Sequence, residues 1–180
     1  GMGEHIAIDA SLAILAANSM MGLEEVRENL KKFKGIKKRF DILVANEKFA
    51  LIDDYGHHPT EIKATLKSAK EYAKLLGLES ITAIFQPHRY SRLMANLDGF
   101  KECFNDVDEL VVLPVYAAGE EPNGVDLKSE FKGALFADSI KRNGDSIEFF
   151  DNFGVKHSLA SGLVIGFGAG DISYQLRGER

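Results

Sequence analysis

Apolar and polar positions alternate along this chain with two different periods, and the switches between them outline the elements. Residues 5–20 are rich in Ala, Leu and Ile on nearly every helical face, which predicts a helix buried on more than one side. Gly22 ends it, and residues 23–33 read as a second helix with Val26, Leu30 and Phe33 on one stripe. Two β-type runs, 40–45 and 48–52, flank the polar pair Asn46-Glu47 and predict a hairpin. Residues 53–59 form a loop, and Pro59 opens a helix running to Leu76, before Gly77. Residues 81–85 are a strand, and a loop from Gln86 to Arg89 opens a helix reaching about Phe104. Strand 109–113, loop 114–125, helix 127–142, strands 147–150 and 163–167, and a last helix 171–177 complete the reading.

Strands alternating with helices predict an α/β fold: a mainly parallel, Rossmann-like sheet flanked by helices, with a helical segment at the N-terminus and a β-hairpin. The regular alternation starts only after the first two helices, so residues 1–35 are expected to pack apart from residues 36–180. In such folds function gathers beyond the carboxyl ends of the strands. Here polar loops follow the apolar strands at 53–60, 86–92 and 116–126, and a glycine loop follows Phe167.

Composition narrows the class. At 180 residues and 45% hydrophobic the chain can build one core, and its net charge of −5 disfavours a broad nucleic-acid surface. The one basic run (Lys31, Lys32, Lys34, Lys37, Lys38, Arg39) reads as a solvated helix end. A single cysteine, Cys103, excludes an internal disulfide and reads as a buried thiol. No apolar run is long enough for a membrane span and no signal-peptide pattern opens the sequence, so the cytoplasm is the expected location. Gly1-Met2 reads as a tag remnant before a start methionine.

Three segments carry candidate chemistry. Residues 53–61 (Asp-Asp-Tyr-Gly-His-His-Pro-Thr-Glu) put two carboxylates, a phenol and two imidazoles at a strand end. Asp54 suits ribose hydroxyls or a cation, and His57 an anion or a metal. The adjacent pair His57-His58 lacks the i, i+4 spacing of helical metal ligands, and no metal site is assigned. Residues 86–92 (Gln-Pro-His-Arg-Tyr-Ser-Arg) place Arg89 and Arg92 at a helix start. Cations oppose the helix dipole there unless an anion completes the site. The plainer alternative is surface ion pairing to Asp98 or Glu102. Residues 114–120 (Pro-Val-Tyr-Ala-Ala-Gly-Glu) read as a tight loop. Gly166-Phe167-Gly168-Ala169-Gly170-Asp171 reads as a tight strand-to-helix turn rather than a dinucleotide fingerprint, because Asp171 stands where the third glycine belongs. No G-x-x-x-x-G-K-[ST] phosphate loop occurs, so ATP chemistry would need a cradle from elsewhere.

Taken together, segments 53–61, 86–92 and 114–120, with Lys38-Arg39-Phe40 upstream and Gly168-Ala169-Gly170-Asp171-Ile172 downstream, resemble the Mur ligases in their alanine-adding branch. The resemblance covers nearly the whole chain and implies the C-terminal domain of an ATP-dependent ligase joining L-alanine to UDP-N-acetylmuramate in peptidoglycan synthesis. It implies that residues 1–35 end the family's central ATPase domain, and that the chain is inactive alone. Tyr55, His57, Arg89 and Arg92 match residues lining the L-alanine pocket, and Arg39 and Asp54 match residues near the nucleotide. ATP and Mg2+ are expected in the full-length enzyme and neither is expected to bind this segment tightly. The family's two asparagines near His5 are replaced by Ile6 and Asp9, which leaves Asp9 as the candidate nucleotide contact. Two other readings stay open: a stand-alone, non-catalytic domain binding a small carboxylate or a protein partner, and a metal-binding module on His57 and His58.

Overall fold

A computed structural model describes residues 4–33, 35–151 and 153–179, the side chains of residues 4–6, 155 and 156 excepted; Gly1, Met2 and Lys34, and the side chains of His5 and Ile6, lie outside it. Two helices, α1 (Glu4–Asn18) and α2 (Leu23–Lys31), pack on each other ahead of the α/β unit. The expected burial of the first is not found: Leu12 is 60% and Leu15 70% exposed. An all-round apolar helix needs cover on several sides, and α2 is its main neighbour among the described residues.

The main sheet has six strands in the order β1-β2-β9-β3-β4-β5. These are β1 (Asp41–Ala45), β2 (Phe49–Asp54), β3 (Ile81–Phe85), β4 (Glu109–Val112), β5 (Leu135–Phe136) and β9 (Gly162–Phe167). Only β1 runs antiparallel, as the arm of the predicted hairpin, where the Asn46 side chain accepts from the backbone N–H groups of Lys48 and Phe49. Strands β2, β3 and β9 are buried along their whole length, as continuous apolar runs in a parallel sheet require.

Helix α3 (Pro59–Leu76) has the predicted bounds. Pro59 supplies a preset φ at the first turn, and Gly77 closes the helix at φ 72, with the N–H of Leu78 donating to the Ala73 carbonyl. Its Ile62, Leu66, Ala69 and Ala73 are buried against one face of the sheet. Each large side chain contributes about 1.5–3 kcal/mol. The expected helix after Arg89 is broken into α4 (Tyr90–Ala95) and α5 (Leu97–Cys103). The break falls at Asn96, whose φ of −127° is not helical and whose side chain donates to the Arg92 carbonyl. Gly99 then lets α5 approach α3, since a Cβ there would sit 3.0 Å from Pro59. Cys103 is buried as expected, and desolvation pushes its thiol up to about 12.

The expected helix 127–142 is wrong beyond its first turn, α6 (Leu127–Glu130). Gly133, at φ 87, stops it, and the chain goes on into β5 and a second, antiparallel sheet: β6 (Ser139–Asn143), β7 (Ser146–Asp151) and β8 (Gly154–Leu159). Ile140, Ile147 and Phe149 of this sheet cover the other face of the main sheet together with α7 (Ile172–Arg177).

Candidate functional site

The carboxyl ends of β2, β3 and β9 lie side by side, with Asp54 opposite Phe167 and Phe85 opposite Phe167 in register. The loops leaving them must therefore meet, although up to about a hundred residues separate them in the chain. Three of the sequence segments do meet there, and the glycine turn closes the group.

Asp54 organises the first loop. It is buried, one carboxylate oxygen accepts the Phe40 N–H at 2.8 Å and the other the Gly56 N–H at 2.8 Å. Burial raises its pKa above the usual carboxylate value, and the two backbone donors oppose that rise. These bonds hold the turn carrying Arg39, which is flanked by two residues of positive φ, Lys38 at 63° and Phe40 at 44°. Arg39 is exposed. Its guanidinium lies over the Tyr55 ring, 5.5 Å from the centroid, within reach of a cation–π attraction. Tyr55 in turn meets the His57 ring edge-on at 5.1 Å. The Nδ1 of His57 lies 2.9 Å from the Tyr55 carbonyl. That carbonyl can only accept, so Nδ1 carries the proton and Nε2 is the acceptor of the neutral ring.

The second loop arrives beside the first. The His57 and His88 rings are 6.2 Å apart. The second and third loops are zipped together: the N–H of Tyr116 donates to the Pro87 carbonyl at 2.8 Å, and the N–H of Arg89 to the Tyr116 carbonyl at 2.9 Å. His88 stacks on Tyr116, with ring centroids 5.6 Å apart and planes 10° from parallel, an arrangement aromatic pairs favour when offset. Arg92 Nη1 lies 2.9 Å from His88 Nδ1.

Arg89 precedes α4 instead of sitting inside it, at φ 69 and ψ 134, a costly backbone conformation for a residue with a Cβ. The anion at the start of α4 comes from the protein itself: Glu120 accepts the Ser91 N–H at 2.9 Å and the Ser91 hydroxyl at 2.5 Å. Those hydrogen bonds, hydroxyl first, hold its pKa below the usual value. The end of α4 thus already meets one anion from within the chain, so the case for an external anion passes from the helix end to the two guanidiniums. The guanidiniums remain. Among the described residues neither Arg89 nor Arg92 forms an ion pair, and Asp98 faces Lys101 instead.

The glycine turn fixes the back of this group. Gln86 is buried, donates to Asp171 at 2.6 Å and accepts the Ile172 N–H at 3.0 Å. A Cβ on Gly170 would lie 2.5 Å from both Gln86 Oε1 and the Tyr116 ring, so this glycine is required by close approach. His88, Tyr116, Glu120 and Gln86 lie within the sequence motifs but carry no local signal of a role; only contacts between distant segments reveal one. Asp9 is exposed on α1 and shares no hydrogen bond, ion pair or ring contact with the cluster among the described residues. No group of three or more His, Cys, Asp and Glu side chains converges as a metal cradle among the described residues.

Comparison with known proteins gives the same frame. The family model described as "Mur ligase, glutamate ligase domain" matches residues 38–157. The UDP-N-acetylmuramate--L-alanine ligase of Campylobacter curvus is 67% identical over 180 residues, covering 99% of this chain and 41% of its own. That of Helicobacter pylori is 56% identical over 183 residues, with 99% and 40% covered. The crystal structure of the UDP-N-acetylmuramate-alanine ligase of Thermotoga maritima superposes with a TM-score of 0.69 at 30% identity, over 98% of this chain and 37% of that one. The chain thus spans about two fifths of the length of these relatives. With the family model matching two thirds of the chain and these relatives covering nearly all of it, this chain belongs to the Mur ligase family, as its glutamate ligase domain.

Proposed function

We propose that this chain is the C-terminal domain of an ATP-dependent ligase that joins L-alanine to UDP-N-acetylmuramate in the cytoplasm during peptidoglycan synthesis, and that it supplies amino-acid and nucleotide contacts without being active alone. The observation that carries the reading is the convergence of Tyr55, His57, Arg89 and Arg92 beyond the carboxyl ends of the central strands, with both guanidiniums lacking a carboxylate partner among the described residues. Relatives bearing that activity by name cover nearly the whole chain. Among the described residues no helix is long and apolar enough to cross a membrane.

In this reading Arg89 and Arg92 take the L-alanine carboxylate, a planar anion suited to guanidinium forks. The amine is left facing the histidine side of the cluster, where Nε2 of His57 is the acceptor set by the Nδ1 bond to Tyr55. ATP, when bound, supplies the phosphoryl group that activates the muramate carboxylate for attack by that amine. The phosphate cradle and the UDP-sugar site belong to other parts of the ligase, since the chain has no phosphate-loop motif. Exposed Arg39, braced on Tyr55, is the cation offered to the nucleotide. A ribose contact at Asp54 would use the second lone pairs of oxygens already bonded to the backbone. Asp9 is proposed only as a nucleotide contact reached through the rest of the enzyme. Magnesium in the full-length enzyme would be held mainly by other parts of the ligase, since no three His, Cys, Asp or Glu side chains converge among the described residues. Residues 1–35 are assigned to the end of the central domain, whose remainder would cover the exposed apolar side chains of α1.

Steady-state kinetics of the full-length ligase tests the reading. Arg92→Ala should raise the L-alanine KM about 10- to 100-fold, the loss of one or two charge-assisted hydrogen bonds. An unchanged L-alanine KM sinks the assignment.

A further inference from the structure

We infer that His88 is a positioning residue: stacked on Tyr116 and accepting from Arg92 through Nδ1, it aims the Arg92 guanidinium at an incoming carboxylate only while its ring is neutral. This rests on the proposed amino-acid site and adds to it a residue with a titratable role.

The argument begins with donors and acceptors. Arg92 has only donors, so the 2.9 Å contact requires an unprotonated Nδ1 on His88. His88 is therefore the Nε2–H tautomer, opposite to His57. The ring has little freedom to change partner. Its plane is held against Tyr116, whose backbone is tied to Pro87 and Arg89 on either side of His88. Tyr116 is backed by Gly170, where no Cβ would fit. The order Gly170, Tyr116, His88, Arg92 thus passes from a rigid turn to the guanidinium.

The charges facing the imidazole favour the same state. Arg92, His57 and Arg89 oppose a proton on His88, and Glu120 alone favours one. Burial acts first and these neighbours second, Arg92 foremost among them, and together they lower the His88 pKa below 6.5. Protonation converts Nδ1 from acceptor to donor and sets two cations face to face, so Arg92 must swing away. Because the pKa is lowered from 6.5, the neutral form dominates at pH 7, and the release comes with acidification below that ordinary value.

Two measurements test this. In nitrogen-15 NMR of the 180-residue chain, His88 Nδ1 should show the unprotonated acceptor shift at pH 7. The Arg92 Nη–H signals, slowed in exchange, should be lost as His88 titrates. A proton on Nδ1 at pH 7, or Arg92 signals indifferent to that titration, overturns the inference. In the full-length ligase, His88→Ala should raise the L-alanine KM about tenfold, close to one charged hydrogen bond, with kcat changed less than about twofold. His88→Asn places Oδ1 near the Nδ1 position, so it should restore KM and remove the acid limb of its pH profile. Equal KM values for the Ala and Asn variants, or an acid limb unchanged in His88→Asn, would mean a packing role only. Arg92→Ala separates the two levels: if it leaves KM unmoved the site reading fails, and if it raises KM while His88→Ala does not, this inference alone fails. Should His88→Ala not fold, the Asn variant and the NMR titration still decide.

Discussion

Arg177, at the end of α7, and the pair Arg89 and Arg92, around the start of α4, put the same side chain into opposite surroundings. Arg177 donates through Nε and Nη2 to Asp53 at 3.0 and 2.8 Å, and Nη2 also reaches Asp41. Ser173 adds a bond to the same Asp53 oxygen at 2.6 Å. The Asp53 side chain is 1% and the Arg177 side chain 15% exposed. This arginine joins β1, β2 and α7. The other two stand at the strand ends without an ion pair among the described residues: Arg92 rests on a neutral imidazole, and the one acid near Arg89, Glu120, is engaged by Ser91. An arginine saturated with carboxylates is a lock, and one placed beside neutral acceptors is open to an anion from solution. Residue type alone does not distinguish them, whereas their partners do.

The largest effect should come from breaking the lock. Arg177→Met leaves Asp53 buried and uncompensated and should cost about 3–5 kcal/mol of stability in chemical denaturation. A loss under about 1 kcal/mol would make the network incidental and remove the contrast. Asp54→Asn comes next. One of its two backbone donors, Phe40 or Gly56, would then face an amide N–H instead of an acceptor. An unsatisfied buried donor of that kind costs about 1–3 kcal/mol. Because Asp54 shapes the turn carrying Arg39, the same variant should, on the proposed reading, also weaken nucleotide binding in the full-length ligase; normal stability with normal nucleotide KM would remove Asp54 from its structural role and from its proposed one.

Much of this was legible in the chain. The pattern placed β3 and α3 at their observed limits, because a strand with two buried faces and a helix with Pro59 and Gly77 at its ends are set by local physics. It also placed the polar loops at strand ends, where the arginines were recognised. It failed at 127–142, where Leu127, Phe131 and Leu135 imitate a helical stripe that Gly133 interrupts. It failed on the cover of α1, because an apolar face announces a need for a partner without saying which segment meets it. It left Tyr116 without a role, since a ring stacked on a partner in another loop has no local signal. The cap of α4 was likewise invisible, because Glu120 reaches Ser91 from another loop.

The smallest expected effect is the most discriminating. Arg89→Ala and Arg92→Ala remove large side chains, yet neither leaves a buried carboxylate unpaired. Surface changes of that kind usually shift stability by no more than about 0.5 kcal/mol. Arg89 should lie at the favourable end: it is exposed, and its strained φ of 69° is retained in either variant by the Tyr116 bond. Arg92→Ala also frees His88 from one facing cation, so the imidazole should titrate at higher pH in that variant. The sign for stability follows. A histidine whose folded pKa is lowered binds fewer protons folded than unfolded, so wild-type stability falls as pH drops below the unfolded value near 6.5. With Arg92 removed that acid loss should shrink, giving a double test by denaturation at about pH 7.5 and about pH 5.5, on either side of the ordinary histidine range: near-equal stability of variant and wild type at the higher pH, and a relative gain for the variant at the lower. A large loss at the higher pH would show that Arg92 is a lock like Arg177, and the distinction between paired and open arginines would not hold.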